Sequence, residues 1–282
     1  MAAILSPPLD SSYHPRLLQE LGVNPVELLK TITQVLDFIP REQPEMKYRG
    51  RPLKRDKFFL VRSNTNAEGD PMTYYKYSYP GFQYASLLHY RPFSAIPAFE
   101  ALVVQLEKRL GCTFNHAIGT RYSLPTDEIG YHADKMLDIE PDTPIVSLSF
   151  LDVREFHLRL KDSKELTPSH IQVLRDGDVF VLGPETNDKM EHAVPPVARE
   201  TKVIRMNGKF EPRVSIVLRQ IRTSLTREQV LKKIKQASAA KEVADGRKEL
   251  VAASVAVPIL CGVLTKRGLP CRNKQGSCPY HK

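Results

Sequence analysis

The chain has 282 residues, 41% of them apolar, and carries 41 Lys and Arg against 32 Asp and Glu, a formal charge of +9 with a pI near 9.3. That size predicts one domain of ~200 residues with appendages rather than two large domains. No run approaches the ~18 consecutive apolar residues of a membrane span, so a soluble protein with no membrane partner is expected. The charge favours a polyanionic partner whose displaced counterions drive association.

Residues 1–24 contain prolines and little periodicity, and read as a mobile arm. They also lack a basic start followed by a long apolar core, so secretion is not expected. Pro25 to Asp37 repeats apolar residues at three- and four-residue spacing, an amphipathic helix, and Ser94 to Leu110 reads the same way. Between them, Lys47, Arg49, Arg51, Lys54, Arg55 and Lys57 give six basic residues against one acid before the apolar run Phe58 to Val61. Such a cluster suits a phosphate backbone, although charge runs are often only solvated. Met72 to Phe82 then concentrates Tyr74, Tyr75, Tyr77, Tyr79 and Phe82, aromatic side chains on which a base could stack.

The chemistry gathers in three later stretches: Ile129-Gly-Tyr-His-Ala-Asp-Lys135, Glu191-His-Ala-Val-Pro195 and Arg213-Val-Ser-Ile-Val-Leu-Arg219. On a strand, residues two apart share a face, so His132 and Asp134 can address one ion while Ala133 points away. His192 follows Asp178 to Gly183, whose apolar run reads as a buried strand able to bring a third ligand across a barrel. Two imidazoles and one carboxylate form the facial set that holds a non-heme ferrous ion with open positions. The alternation from Arg213 to Ile221 predicts a half-buried strand with Arg213, Ser215, Val217 and Arg219 on one face. Guanidinium is permanently charged and grips a carboxylate through two parallel hydrogen bonds, which suits a small diacid such as 2-oxoglutarate. At ~3.3 Å per residue the two arginines start ~20 Å apart, so either both lean inward or only one is the direct clamp.

Phe114 to Tyr122, Ile129 to Asp134, Ser147-Leu-Ser-Phe150, Arg154-Glu-Phe156, Gly177-Asp178, His192 to Pro195 and Arg213 to Arg219, in this order, resemble the AlkB family of 2-oxoglutarate- and iron-dependent dioxygenases. The resemblance covers roughly residues 25 to 223. It implies an α+β fold with a double-stranded β-helix (jelly-roll) core flanked by helices, with His132, Asp134 and His192 on Fe(II). It implies that Arg213 binds the distal carboxylate of 2-oxoglutarate with help from Tyr122, and that Arg219 lies near the metal-chelating end. Thr120 and Ser215 stand where the family commonly has Asn, and each keeps a hydroxyl donor for the same ligand. The implied reaction uses O2 to decarboxylate 2-oxoglutarate to succinate and CO2 while hydroxylating a C–H bond; a hydroxylated N-methyl group then leaves as formaldehyde.

The resemblance places Tyr77 in the nucleotide lid and Arg154 and Met136 near the substrate. Repair members often carry an acid where Met136 stands, and a thioether is a weak acceptor for an exocyclic amine. A base inside a duplex must also be flipped out, at a cost of a few kcal/mol. The leading expectation is oxidative demethylation of N-alkylated nucleobases in DNA or RNA. Protein side-chain hydroxylation or base oxidation without demethylation on the same iron site stands beside it, as does an inert oxygenase fold serving as a nucleic-acid-binding module.

Past the arginine strand, Thr226-Arg-Glu-Gln229 reads as a capping box opening a helix. The organisation expected is an arm over 1–24, a dioxygenase domain over 25–223, a helical linker over 224–258 and a terminal element over 259–282. That element holds Cys261, Cys271, Cys278 and His281, three of the four cysteines in the chain plus an imidazole, a complete tetrahedral set for structural Zn(II). Four protein ligands leave no open position, so the element would grip nucleic acid or a protein partner rather than catalyse. Reduced thiols agree with a nuclear or cytoplasmic location.

Overall fold

A computed structural model describes residues 9–40, 47–48, 51–78, 82–161, 169–197 and 212–240. The fold is mixed and sheet-rich with a few helices, consistent with a jelly-roll core. Its strands are β1 (Ser12–His14), β2 (Lys47–Tyr48), β3 (Arg51–Pro52), β4 (Asp56–Val61), β5 (Thr73–Tyr75), β6 (Arg91–Pro92), β7 (His116–Tyr122), β8 (Ile129–His132), β9 (Ile145–Leu151), β10 (Arg154–Leu160), β11 (His170–Leu174), β12 (Val179–Leu182), β13 (Met190–Val194), β14 (Arg213–Arg219) and β15 (Ser224–Thr226). A seven-stranded sheet runs β1-β12-β9-β14-β7-β4-β6, and a four-stranded sheet runs β11-β10-β13-β8. Two small pairs, β15 with β5 and β2 with β3, complete the described strands.

The large sheet has one face on helices and the other on the small sheet, and the sequence supplies both. Helix α1 spans Leu17–Glu20, α2 Pro25–Val35 and α3 Pro97–Leu110. Leu28, Leu29 and Ile32 of α2 and Phe99, Leu102, Val103 and Leu106 of α3 pack into one apolar core with Val146, Leu148, Val214, Ile216 and Leu218 of the sheet. The Asn24 side chain caps α2 by accepting from the Val26 and Glu27 amides at 3.1 and 3.3 Å. Helix α3 starts three residues later than the periodicity predicts. Pro97 occupies its first turn, and a proline disfavours helical backbone in the residue before it, so Phe93–Ala95 forms a separate 3-10 turn.

Two expectations are corrected by long-range pairing. Within the arm expected over residues 1–24, the described residues 9–24 are seated on the domain: Ser12–His14 pairs with β12, and Leu17 and Leu18 are buried in the core. Tyr13 Oη donates to Asp178 Oδ2 at 2.6 Å and the Arg16 amide to Asp178 Oδ1 at 2.9 Å, an anchor that no local pattern announces. Strand β14 is buried on both faces. Val214, Ile216 and Leu218 meet the core, while Arg213, Ser215, Val217 and Arg219 line an internal cavity instead of facing water.

The capping box forms as read: the Gln229 amide donates to Thr226 Oγ1 at 3.2 Å, and the Thr226 amide donates to Gln229 Oε1 at 2.8 Å. A helix follows over 227–240. The chain divides into compact units Met1–Val230 and Leu231–Lys282. Arg49, Tyr79, the linker beyond residue 240 and the set Cys261, Cys271, Cys278 and His281 lie outside the described residues.

Candidate functional site

His132 ends β8 and His192 lies directly opposite it in β13, so antiparallel pairing stacks two imidazoles side by side, ring centroids 4.3 Å apart. Asp134 sits in the turn just after β8, and His132 Nε2 is 3.8 Å from Asp134 Oδ1. One ligand atom from each of the three residues falls within 4.8 Å of the others, the only such His, Cys, Asp and Glu group among the described residues. The face-sharing geometry expected of His132 and Asp134 is therefore achieved by a strand end and a turn rather than by one continuous strand.

The surroundings of the three side chains orient each of them. His132 Nδ1 donates to the Gly130 carbonyl at 2.8 Å, which fixes the ring with Nε2 turned toward Asp134. Burial pushes His192 down to about 3, reinforced by the neighbouring His132, so it is a neutral donor at physiological pH. Phe156 stacks against its ring at 5.4 Å between centroids. Burial alone would raise the Asp134 pKa. The Arg219 guanidinium outweighs it, donating from Nε at 3.0 Å and Nη2 at 2.6 Å to Oδ2 and holding the carboxyl below its usual range. That grip occupies Oδ2 and leaves Oδ1 turned to His132. Arg219 is thus the ion-pair partner of Asp134, and the Tyr77 ring covers it with 4.5 Å from the guanidinium carbon to the centroid.

Arg213 behaves differently. It is 1% exposed, and its Nη2 bonds the Ser149 hydroxyl at 3.3 Å, while Nε and Nη1 have no hydrogen-bond partner among the described residues. Burial lowers its pKa, with the Tyr122 hydroxyl opposing. A buried cation with no carboxylate beside it costs several kcal/mol. The arrangement fits an anionic ligand, and Thr120, Tyr122 and Ser215 line the same cavity of about 400 Å³ as the His132–Asp134–His192 cluster. The two arginines thus differ: Arg219 is engaged by the Asp134 carboxylate, and Arg213 meets no carboxylate among the described residues.

The remaining residues divide. Tyr77 lines the cavity yet is 4% exposed, so it roofs the Arg219–Asp134 pair from inside. Met136 is half-buried in the turn beyond Asp134 and is absent from the cavity wall. Arg154 is also absent from it. Its Nη1 and Nη2 donate to the Pro195 and Leu124 carbonyls at 3.1 and 3.0 Å, and it lies 5.7 Å from the centre of the Tyr122 ring, so it braces the wall behind the cavity. Within the basic run, Lys57 is corrected from surface to interior. It pairs with Thr120 in β4–β7 register, so the pleat turns it into the cavity, where it is 7% exposed. Lys54 reaches Glu128 at 2.6 Å, and Arg55 lines the cavity while donating to the Glu128 carbonyl at 3.0 Å. Lys47 and Arg51 fall in the β2–β3 pair.

Sequence reasoning missed Asn187, whose amide grips the backbone of Asp134 from a short helix, and Phe156 as the ring behind His192. Neither has a local signal, because each acts across a gap that only the fold closes.

Two facing sheets that enclose two histidines, an aspartate and an unsatisfied arginine define an oxygenase-type centre, and the family assignment agrees. The model of the 2OG-Fe(II) oxygenase superfamily matches residues 14–226, and the chain belongs to that superfamily. It is 30% identical over 131 residues to DNA oxidative demethylase ALKBH2 of Mus musculus, covering 45% of this chain and 51% of that protein. It is 32% identical over 120 residues to DNA oxidative demethylase ALKBH2 of Homo sapiens, covering 41% and 46%. The chain thus spans about half the length of the curated relatives it matches. The solved structure of OsALKBH1 superposes with a TM-score of 0.45 at 14% identity over 74% of this chain and 96% of that one, too loosely to bear on function.

Proposed function

We propose that this chain is a 2-oxoglutarate- and Fe(II)-dependent dioxygenase that oxidatively demethylates N-alkylated nucleobases in DNA or RNA. The carrying observation is the meeting, in one cavity, of the His132–Asp134–His192 cluster with the buried Arg213 guanidinium, two of whose nitrogens have no hydrogen-bond partner among the described residues. His132, Asp134 and His192 would hold the iron. When bound, that metal supplies activation of O2 with 2-oxoglutarate as co-reductant, giving succinate, CO2 and a hydroxylated substrate carbon. The protein contributes placement. Arg213, Tyr122, Thr120 and Ser215 would fix the distal carboxylate, Arg219 keeps Asp134 ionised and aimed, and apolar walls from Ile118, Ile145, Phe180 and Leu182 exclude water. The relatives named for DNA demethylation and the net charge of +9 support nucleic acid as the substrate class.

The test supplies iron, 2-oxoglutarate and methylated single- and double-stranded oligonucleotides, and measures succinate and formaldehyde together. Both should form in equal amount with the wild-type chain and neither with His132→Ala; succinate without formaldehyde across all oligonucleotides overturns demethylation.

A second reading, hydroxylation of a protein side chain or of a base without demethylation, is favoured by one observation. Asp134 is the sole carboxylate among the described residues of the cavity wall, and Arg219 already engages it. Stoichiometric formaldehyde from an oligonucleotide decides between the two readings.

A further inference from the structure

The turn that carries Asp134 is not held by its own neighbours in sequence. The Asp134 amide donates to Asn187 Oδ1 at 2.9 Å, and Asn187 Nδ2 donates back to the Asp134 carbonyl at 2.9 Å. Asn187 is 1% exposed, and its side-chain amide matches one backbone donor and one backbone acceptor of a single residue. Few side chains can do this: Asp lacks the donor, and Ala lacks both groups.

Asn187 belongs to helix α4 (Pro184–Lys189), which joins β12 to β13 and so leads directly into the strand bearing His192. One short helix therefore touches the backbone of one ligand and feeds the strand of another. The helix is capped from the far end of the chain. Asp10 Oδ2 accepts from the Glu185 amide at 2.9 Å, and Asp10 Oδ1 accepts from the Thr186 amide at 2.9 Å and the Thr186 hydroxyl at 2.8 Å. The residue at the formal cap position is Gly183, which has no side chain to offer. A Cβ there would stand 2.2 Å from the Asp10 carboxyl carbon, so glycine is what admits the distant cap. The Gly183 amide also donates to Ser11 Oγ at 3.2 Å, next to the β1–β12 pairing.

We propose that Asn187 is a positioning residue of the metal centre, and that the N-terminal segment at Asp10 acts through it as a remote brace of Asp134. Outer partners of metal ligands commonly contribute roughly ten- to hundred-fold to metal affinity because they fix the ligand before the ion arrives. Asn187 fixes the backbone from which the carboxylate extends, while Arg219 fixes the carboxylate itself; Asp10 fixes the helix from which Asn187 reaches. The inference rests on reading His132, Asp134 and His192 as a divalent-metal site.

The test is titration of the full chain with Co(II), followed by the visible absorption of bound cobalt, beside thermal melts of each metal-free variant. Asn187→Ala should weaken Co(II) binding about ten- to hundred-fold. Asn187→Asp keeps size and one acceptor, loses the donor to the Asp134 carbonyl, and should also weaken it. Asp10→Ala, well outside the cavity, should weaken binding in the same direction by less. Combined with Asn187→Ala it should add nothing further, because both act along one path. Cobalt affinity unchanged in a cooperatively melting Asn187→Ala or Asn187→Asp chain overturns the role of Asn187, and full additivity overturns the brace. Failure of the wild-type chain to bind cobalt would instead strike the metal-site reading itself.

Discussion

Arg213 brings a positive charge into the interior with two nitrogens that no described group satisfies. Taking such a charge out of water costs several kcal/mol, a cost that an apolar side chain of similar length avoids. Arg213→Met is therefore expected to melt higher than wild type without ligand, yet to gain nothing from 2-oxoglutarate, whereas the wild-type Tm rises as 2-oxoglutarate is added with a redox-inert divalent metal. A wild-type Tm indifferent to 2-oxoglutarate would count against Arg213 as its anchor. The buried imidazoles carry a pH signature. His116 lies far below its usual value because burial disfavours the charged ring, with Arg219 adding repulsion, and His192 falls to about 3 for the same first reason. Each folded-state pKa is depressed below the unfolded value of ~6.5, so the unfolded chain binds more protons as pH falls through that value. The stability is fully present above ~6.5 and drains away below it. The Tm of the metal-free chain should drop between pH 7 and pH 5, and His116→Gln, whose amide can still bond the Tyr90 hydroxyl that lies 2.9 Å from His116 Nε2, should flatten that slope.

At the level of elements, β4 and β7 meet through an interlock of side chain and backbone. Gly119 stands opposite Phe58, and a Cβ at Gly119 would lie 2.1 Å from the Phe58 ring. Gly119→Ala should destabilise by ~1–3 kcal/mol as an overpacked site, read as a lower denaturation midpoint with an unchanged slope. The same register sends Lys57 into the cavity beside Thr120. Much of this level is legible in the order of residues: the periodicity of α2, the β12 run, the capping box at Thr226 and the alternation of β14 all follow from local patterns and side-chain chemistry. The burial of both β14 faces was not legible, since alternation says which residues share a face and nothing about what covers it.

For the whole molecule, the family match extending back to residue 14 agrees with the seating of Ser12–His14 on β12 and of Leu17 and Leu18 in the core. Deleting residues 1–14 should therefore cost both stability and metal affinity, where a mobile arm would cost neither. The segment over 259–282 remains a proposal: the full chain should retain one zinc per molecule after dialysis, lost on deletion of residues 255–282. Turnover on short oligonucleotides should survive that deletion, while retention on long nucleic acid should fall.

The order of residues determined the chemical inventory by itself, because His132, Asp134, His192 and Arg213 are side chains whose donor and charge properties need no fold to be named. It could not determine that Arg219 engages Asp134 while Arg213 meets no carboxylate among the described residues, that Arg154 braces a wall, or that Asn187 bonds the backbone of Asp134 and Asp10 the amides of α4. Those assignments depend on which groups end up within 3 Å of one another across long stretches of chain, and only strand register and helix packing set such distances.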